Sequence, residues 1–231
     1  MAGEAAAPAP SEIKFTLRSC CFDAPAGAGF VELKGAPGPL SMSDAPIVEP
    51  DHFRADYEVD RPTAFHEAGH ALAAIVAGGS VRRIALRDPN PNAQCRDIPL
   101  EAQPVFALAG PHAENLARGW IMPLPQDLVT DHLAIVAAPA GGNCDFCLAL
   151  RPCVARAGLD NRDDALRLFR CAERAVVDLI EHEHARRFLR STAHELLREG
   201  ELPGERVHQI YRLVIDPEAH ETLKNIVKQE T

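Results

Sequence analysis

The sequence lacks several features that would assign it to a common class of protein. Aromatic residues make up only 5% of the 231 residues, so the core must be built mainly from Ala, Leu and Val. No apolar run approaches the roughly 20 residues of a membrane-spanning helix, and the N-terminus lacks the basic start and apolar core of a signal peptide. The seven Cys are an odd number at irregular spacings, so no disulfide framework is indicated. We therefore expect no membrane span and a cytoplasmic location.

The sequence has fewer basic than acidic residues, and it has no phosphate-binding loop of the Walker type. The 24 Lys and Arg are outnumbered by 33 Asp and Glu, which gives a net charge of −9. This balance argues against a nucleic-acid-binding surface. No glycine-rich loop of the Walker type occurs, so ATP binding is not expected. The proportions of apolar residues (46%) and charged residues (25%) are typical of a globular chain.

The composition divides the chain into two parts. Residues 1–50 contain 7 Pro, 5 Gly and 10 Ala, which leaves little material for a packed core. We therefore interpret residues 1–55 as a flexible segment and residues 56–231 as the folded domain. Two alternating runs, residues 13–18 and 30–34, offer the alternative of a hairpin.

Hydrophobic periodicity after residue 60 predicts a mainly α fold with a small β element. Asp60 and Pro62 mark the start of an amphipathic helix over about 61–77. A strand over 81–87 and a loop over 88–99 follow, and Pro111 should kink the next helix or mark its real start. The remaining helices are predicted at roughly 101–118, at 126–137, from Cys144 or Asp145 onward, as two helices within 161–199, at 204–214 and at 217–228.

The first helix carries the strongest functional motif, His66-Glu67-Ala68-Gly69-His70. Residues four apart lie on the same face of a helix, so the two imidazoles can bind one Zn²⁺ at about 2.0–2.1 Å each. Glu67 points to the side, where it can reach a water activated by the metal rather than the metal itself. This arrangement is typical of zinc peptidases. The alternative is a helix that carries two His by chance.

Four segments together resemble the protease domain of FtsH-type AAA metalloproteases. The similarity covers about residues 60–214, and the first segment is the most specific. The segments are His66–Ala71 with the strand 81–87 after it, Ala109-Gly110-x-x-Ala113-Glu114, Gly141-Gly142-Asn143-Cys144-Asp145, and the stretch 196–207.

The resemblance implies a zincin-like helical metallopeptidase domain. It implies that His66, His70 and Asp145 bind zinc and that Glu67 is the general base. Asp145 also follows a Gly-Gly turn at a helix start, where the helix dipole stabilises a carboxylate, although it could serve as a plain N-cap there. Glu114 is the main rival for the third ligand. Asp127 and Asp131 rank lower, as solvated helix residues.

Two further features of the sequence are a pair of cysteines and the edge of the predicted strand. Cys144 and Cys147 form a single Cys-x-x-Cys, and a structural zinc site would need further ligands, so we interpret them as buried helix cysteines. The strand 81–87 is expected to offer a free edge on which an extended peptide could pair.

The sequence thus predicts a zinc metalloendopeptidase that cleaves unfolded proteins or peptides without ATP. The ATPase module and membrane anchor of FtsH-type proteins are not found in the sequence, which leaves room for an ATPase partner in trans and for a homo-oligomer. The alternative function is a catalytically silent zinc-binding regulatory or adaptor protein with the same fold. An intact Glu67 argues against that alternative, because a binding protein needs no base there.

Deletion of residues 1–50 should preserve zinc binding and peptidase activity. The segment supplies no proposed ligand and little core. The measurements are zinc content and peptide cleavage of the truncated protein beside the full chain. An insoluble or inactive truncated protein would show that the two alternating runs belong to the fold.

Overall fold

The computed structural model describes residues 14–16, 30–32, 56–86, 91–119, 123–137 and 144–229. Within these residues the chain is mainly helical, as predicted, with a small antiparallel sheet. The helices of this part of the chain are Asp56–Val76 (α1), Gln103–Ala117 (α2), Gln126–Ala137 (α3), Asp145–Ala157 (α4), Arg162–Glu181 (α5), Glu183–Glu199 (α6), Gly204–Val214 (α7) and Pro217–Gln229 (α8). The predicted helices from 126 onward are therefore confirmed.

The strands of the described residues form two separate sheets. Lys14–Thr16 (β1) and Phe30–Glu32 (β2) pair antiparallel, as the hairpin alternative predicted. The remainder of residues 1–55 lies outside the described residues, and its flexibility stays a prediction. Ser80–Ala85 (β3), Asn92–Arg96 (β4) and Glu201–Pro203 (β5) form an antiparallel sheet in the order β4-β3-β5.

Strand β3 lies in the centre of this sheet, which corrects two expectations. It pairs with β4 on one side and with β5 on the other, so it offers no free edge. The residues 88–99, predicted as a loop, contain β4 instead. The prediction missed β4 because Asn, Ala, Gln, Cys and Arg show little strand propensity, and pairing with β3 overrides that weak signal.

Helix α1 is the central helix of the domain. From Thr63 to Val76 each residue except His66 is buried, so the predicted amphipathic character is wrong. The helix packs against α2, α6, β3 and β4, and a helix covered on all sides needs no polar face. It also begins at Asp56, before the predicted cap, and Pro62 lies inside it. Pro62 has no amide hydrogen and therefore cannot donate to the carbonyl four residues earlier, near the start of the helix.

Helices α1 and α2 cross at very short distance. A Cβ added to Gly69 would lie 2.8 Å from the Cβ of Ala113 and would also overlap the carbonyl group of Ala109. Glycine and alanine therefore allow the two backbones to meet. Helix α2 runs without interruption through Pro111, so the proline does not mark its start.

The apolar core surrounds this crossing and extends through the later helices. Its largest fully buried side chains include those of Leu72, Leu108, Phe169 and Phe188. Helix α6 ends at Gly200, whose φ of 79° is left-handed, and the amide of Gly200 bonds to the carbonyl of Leu196 at 2.8 Å. This cap turns the chain into β5 and so joins the helical core to the sheet.

A buried carboxylate fixes the start of α3. Glu173 of α5 is only 3% exposed and accepts a hydrogen bond from the amide of Leu124 at 2.7 Å. Arg170 pairs with Glu173 at 2.6 Å and donates to the carbonyl of Leu124 at 2.8 Å. The buried charge is therefore paired, and the segment entering α3 is tied to α5.

No helix in the described part of the chain is long and apolar enough to cross a membrane.

Replacement of Gly69 by Ala should lower the stability of the domain. At an unobstructed helix position this change stabilises by about 0.5–1 kcal/mol. Here the added methyl group collides with Ala109 and Ala113, and overpacking costs about 1–3 kcal/mol. Urea unfolding of the variant and of the wild type measures the change in the free energy of unfolding. A variant that is more stable than the wild type would contradict the close approach of the two helices.

Candidate metal centre

The two histidines of the motif meet at their Nε2 atoms. His66 and His70 lie one turn apart on α1, and their Nε2 atoms are 3.1 Å apart. The imidazole rings are edge to face, with an interplanar angle of 76°. Both rings thus present a nitrogen to the same point in space.

Asp145 brings a carboxylate to this point from another part of the chain. It is the first residue of α4, directly after the cap residue Cys144. Its Oδ2 lies 3.1 Å from Nε2 of His66, and its Oδ1 lies 3.6 Å from Nε2 of His70. The carboxylate therefore reaches both imidazoles, as the sequence predicted for the third ligand.

The distances between the three ligand groups are close to those of a tetrahedral metal site. Nitrogen and oxygen ligands about 2.0–2.1 Å from Zn²⁺, at tetrahedral angles, lie about 3.3 Å from one another. The two Nε2 atoms are 3.1 Å apart, and the two carboxylate oxygens of Asp145 lie 3.1 Å from that of His66 and 3.6 Å from that of His70, respectively. Two imidazoles and one carboxylate are also the donor set of catalytic zinc sites, in which a fourth position stays open. The residues present therefore fit a zinc ion.

The outer nitrogen of each imidazole is held by a separate partner. Nδ1 of His66 lies 3.0 Å from Oε2 of Glu114, and Glu114 also pairs with Arg118 at 2.7 Å. Nδ1 of His70 donates to the carbonyl of Phe106 at 2.9 Å. Both contacts orient Nε2 toward the metal position. Glu114, the rival third ligand, thus lies behind His66, and only Asp145 faces both Nε2 atoms.

Gly110 of α2 makes room for the imidazole of His70. A Cβ at this position would lie 2.7 Å from Cε1 of His70 and would overlap Nε2. No side chain fits there without displacing the ring. Gly110 therefore leaves space for the imidazole of His70, and Ala109 and Ala113 allow α1 and α2 to approach closely.

The electrostatic environment favours a cation at the point where the ligands meet. Burial opposes the protonation of His66, but hydrogen bonds to Asp145 and Glu114 outweigh it and raise the pKa of His66 to about 10. Burial and the neighbouring charge of His66 lower the pKa of His70 to about 4. Burial alone would raise the pKa of Glu114, but His66 and Arg118 lower it to about 2. Two ionised carboxylates thus flank one buried imidazole pair.

Glu67 lies beside the site rather than in it. Its side chain is buried, with 5% exposed, and it is not one of the three groups that converge. Burial, and secondarily the charge of Glu67, raise the pKa of the Cys95 thiol in β4 to about 12. Glu67 directly follows the proposed ligand His66 in the chain, and its buried carboxylate stands outside the group of three.

A second group of potential ligands lies next to the first. His132, Cys144 and Cys147 bring their ligand atoms within 4.8 Å of one another. The two cysteines form a Cys-x-x-Cys pair in the sequence, but His132 was not predicted to accompany them. The sequence carries no recognised zinc pattern here, because a single histidine stands 11 residues before Cys144, whereas the known pattern places paired histidines after the cysteines. Asp127 and Asp131 are exposed on α3 and belong to neither group.

The chain was also compared with known proteins. No protein-family model matches it, and no curated protein sequence matches it either. Geometry and chemistry therefore carry the functional argument.

Asp145→Ala should remove metal binding, whereas Glu114→Ala should only weaken it. Asp145 would be a direct ligand, but Glu114 only orients His66, and loss of such a partner typically costs about 10–100-fold in metal affinity. Zinc titration against a competing chelator measures both affinities. Asp127→Ala, which removes an exposed carboxylate of α3, is the matched control and should bind as wild type. If Glu114→Ala removed metal binding and Asp145→Ala only weakened it, Glu114 would be the ligand.

Proposed function

We propose that the chain is a zinc-dependent metalloendopeptidase with a zincin-like fold, related to the protease domain of FtsH-type enzymes. The observation that carries the proposal is the convergence of His66, His70 and Asp145 at tetrahedral spacing, beside the buried carboxylate of Glu67. The side chains of His66 and Asp145 are 19% and 28% exposed, which supports access of a substrate from solvent.

The chemistry follows from the division of roles among these residues. His66, His70 and Asp145 would hold the ion, and Glu114 and Phe106 would keep the imidazoles oriented. Zinc at this position would supply a Lewis acid that acidifies a water molecule and polarises a carbonyl oxygen. Glu67 would take the proton of the attacking water and pass it to the leaving amine.

The outer edge of β4 is the best candidate for the binding of an extended peptide. Among the described residues β4 pairs on one side only, with β3. Strand β4 packs against helix α1, which carries His66, Glu67 and His70, so a peptide paired with this edge would lie near that helix. Main-chain hydrogen bonds would then provide affinity with little sequence preference. This edge replaces the edge of β3 that the sequence suggested.

Glu67→Gln should abolish peptide cleavage while fold and zinc content stay unchanged. The amide keeps the size of the side chain but cannot accept the proton, and loss of a general base typically costs about 10²–10⁴-fold in rate. Cleavage of a quenched peptide and zinc analysis are measured on the same preparations, with Glu101→Gln on the exposed helical turn before α2 as a control. Zinc-loaded wild-type protein that cleaves nothing would support the silent adaptor instead.

The peptidase should cleave unfolded proteins and spare stably folded ones. Unfolding of a typical domain costs about 5–15 kcal/mol, which passive binding of an extended segment does not supply. A folded substrate and its permanently unfolded variant are incubated with the protein, with and without ATP. Preference for the unfolded form and no effect of ATP are expected. Equal cleavage of both forms would contradict passive capture.

A further inference from the structure

A compact group of soft ligands joins α3 to the start of α4. His132 comes from the middle of α3, Cys144 caps α4, and Cys147 lies in the first turn of α4. Their ligand atoms lie within 4.8 Å of one another. Because the group includes residues of two helices, tertiary packing and not local sequence brings it together.

His132 is held with one nitrogen directed at the cysteines. Its Nδ1 donates to the carbonyl of Leu128 at 2.8 Å, which leaves Nε2 as the ligand atom. The ring is only 1% exposed and packs edge to face against Phe146 at a centroid distance of 5.3 Å. A backbone carbonyl that binds the second nitrogen is the usual support of a metal-binding histidine.

The two cysteines lie together at the start of α4. Sγ of Cys144 accepts a hydrogen bond from the amide of Cys147 at 3.4 Å, and both residues lie at the N-terminus of α4. This contact holds Sγ of Cys144 at the helix start, within 4.8 Å of the ligand atoms of Cys147 and His132. The described cysteines form no disulfide, so both thiols keep their capacity to bind an ion.

We propose that His132, Cys144 and Cys147 bind a second zinc ion. Two thiolates and one imidazole are a common set of zinc ligands, and soft sulfur donors discriminate against Mg²⁺ and Ca²⁺. Thiolates about 2.3 Å from a tetrahedral zinc lie about 3.8 Å apart, which small side-chain rotations achieve within a group of this size. Water can provide the fourth ligand.

This ion would act as a structural support for the first site. Cys144 is bonded directly to Asp145, so an ion held by Cys144 fixes the residue that precedes the proposed third ligand. It also ties the start of α4 to α3. The second ion thus positions Asp145, and its loss should weaken metal binding at the first site by about 10–100-fold, as the loss of an orienting partner does.

The proposal goes beyond the peptidase activity and can be tested without it. Full-length protein is purified with a phosphine reductant, stripped of metal and loaded with Co²⁺. Thiolate ligands give cobalt a strong near-ultraviolet charge-transfer band, whereas the first site contains only nitrogen and oxygen donors. We expect this band in the wild type, with two metal ions per chain for the two ligand groups.

Variants then assign the band to its ligands. Cys144→Ser combined with Cys147→Ser should remove the band and one ion per chain, and His132→Ala should weaken or shift the band. His70→Ala should lose the other ion and keep the band, which separates this proposal from that of the first site. Cys171→Ser, at a partly exposed cysteine of α5, is the matched control and should behave as wild type.

Three results would overturn the proposal. They are a wild-type cobalt spectrum without a thiolate band, a metal content that is the same in the double cysteine variant, and a disulfide between Cys144 and Cys147 in the reduced preparation. The cobalt spectrum of the wild type tests the site even where a variant fails to fold.

Discussion

The short distance between α1 and α2 is the constraint on which the candidate site depends. Gly69 lets the two backbones meet, and Gly110 leaves the space that the imidazole of His70 fills. At this distance Glu114 reaches the outer nitrogen of His66, and the carbonyl of Phe106 reaches that of His70. A larger residue at either glycine would move the imidazoles away from the partners that orient them.

The two helices provide the histidines and their supports, but a third helix completes the group. Asp145 begins α4, and its position depends on how α4 packs against α2 and α3. The neighbouring group of His132, Cys144 and Cys147 lies at the same helix start. The geometry of the first site is thus connected to a second polar cluster through a single peptide bond.

Several features followed from local sequence. The helices from 126 onward were predicted because their hydrophobic periodicity and the residues that start and end them indicate the same helix bounds. The strand β4 and the buried character of α1 were not predicted. Both depend on neighbours: β4 forms because β3 pairs with it, and α1 loses its polar face because helices and sheet cover it on all sides. Local propensity contains no information about such partners.

The sequence by itself determined the pair of histidines and the glutamate between them, because a helical spacing of four places two side chains on one face whatever surrounds the helix. It named Asp145 and Glu114 as rivals but gave no physical ground to choose firmly between them. Only the tertiary structure decided that Asp145 faces both Nε2 atoms and that Glu114 lies behind His66. It alone brought His132 to the two cysteines. The reason is that these contacts join residues far apart in the chain, whose distances are set by helix packing and not by any local pattern.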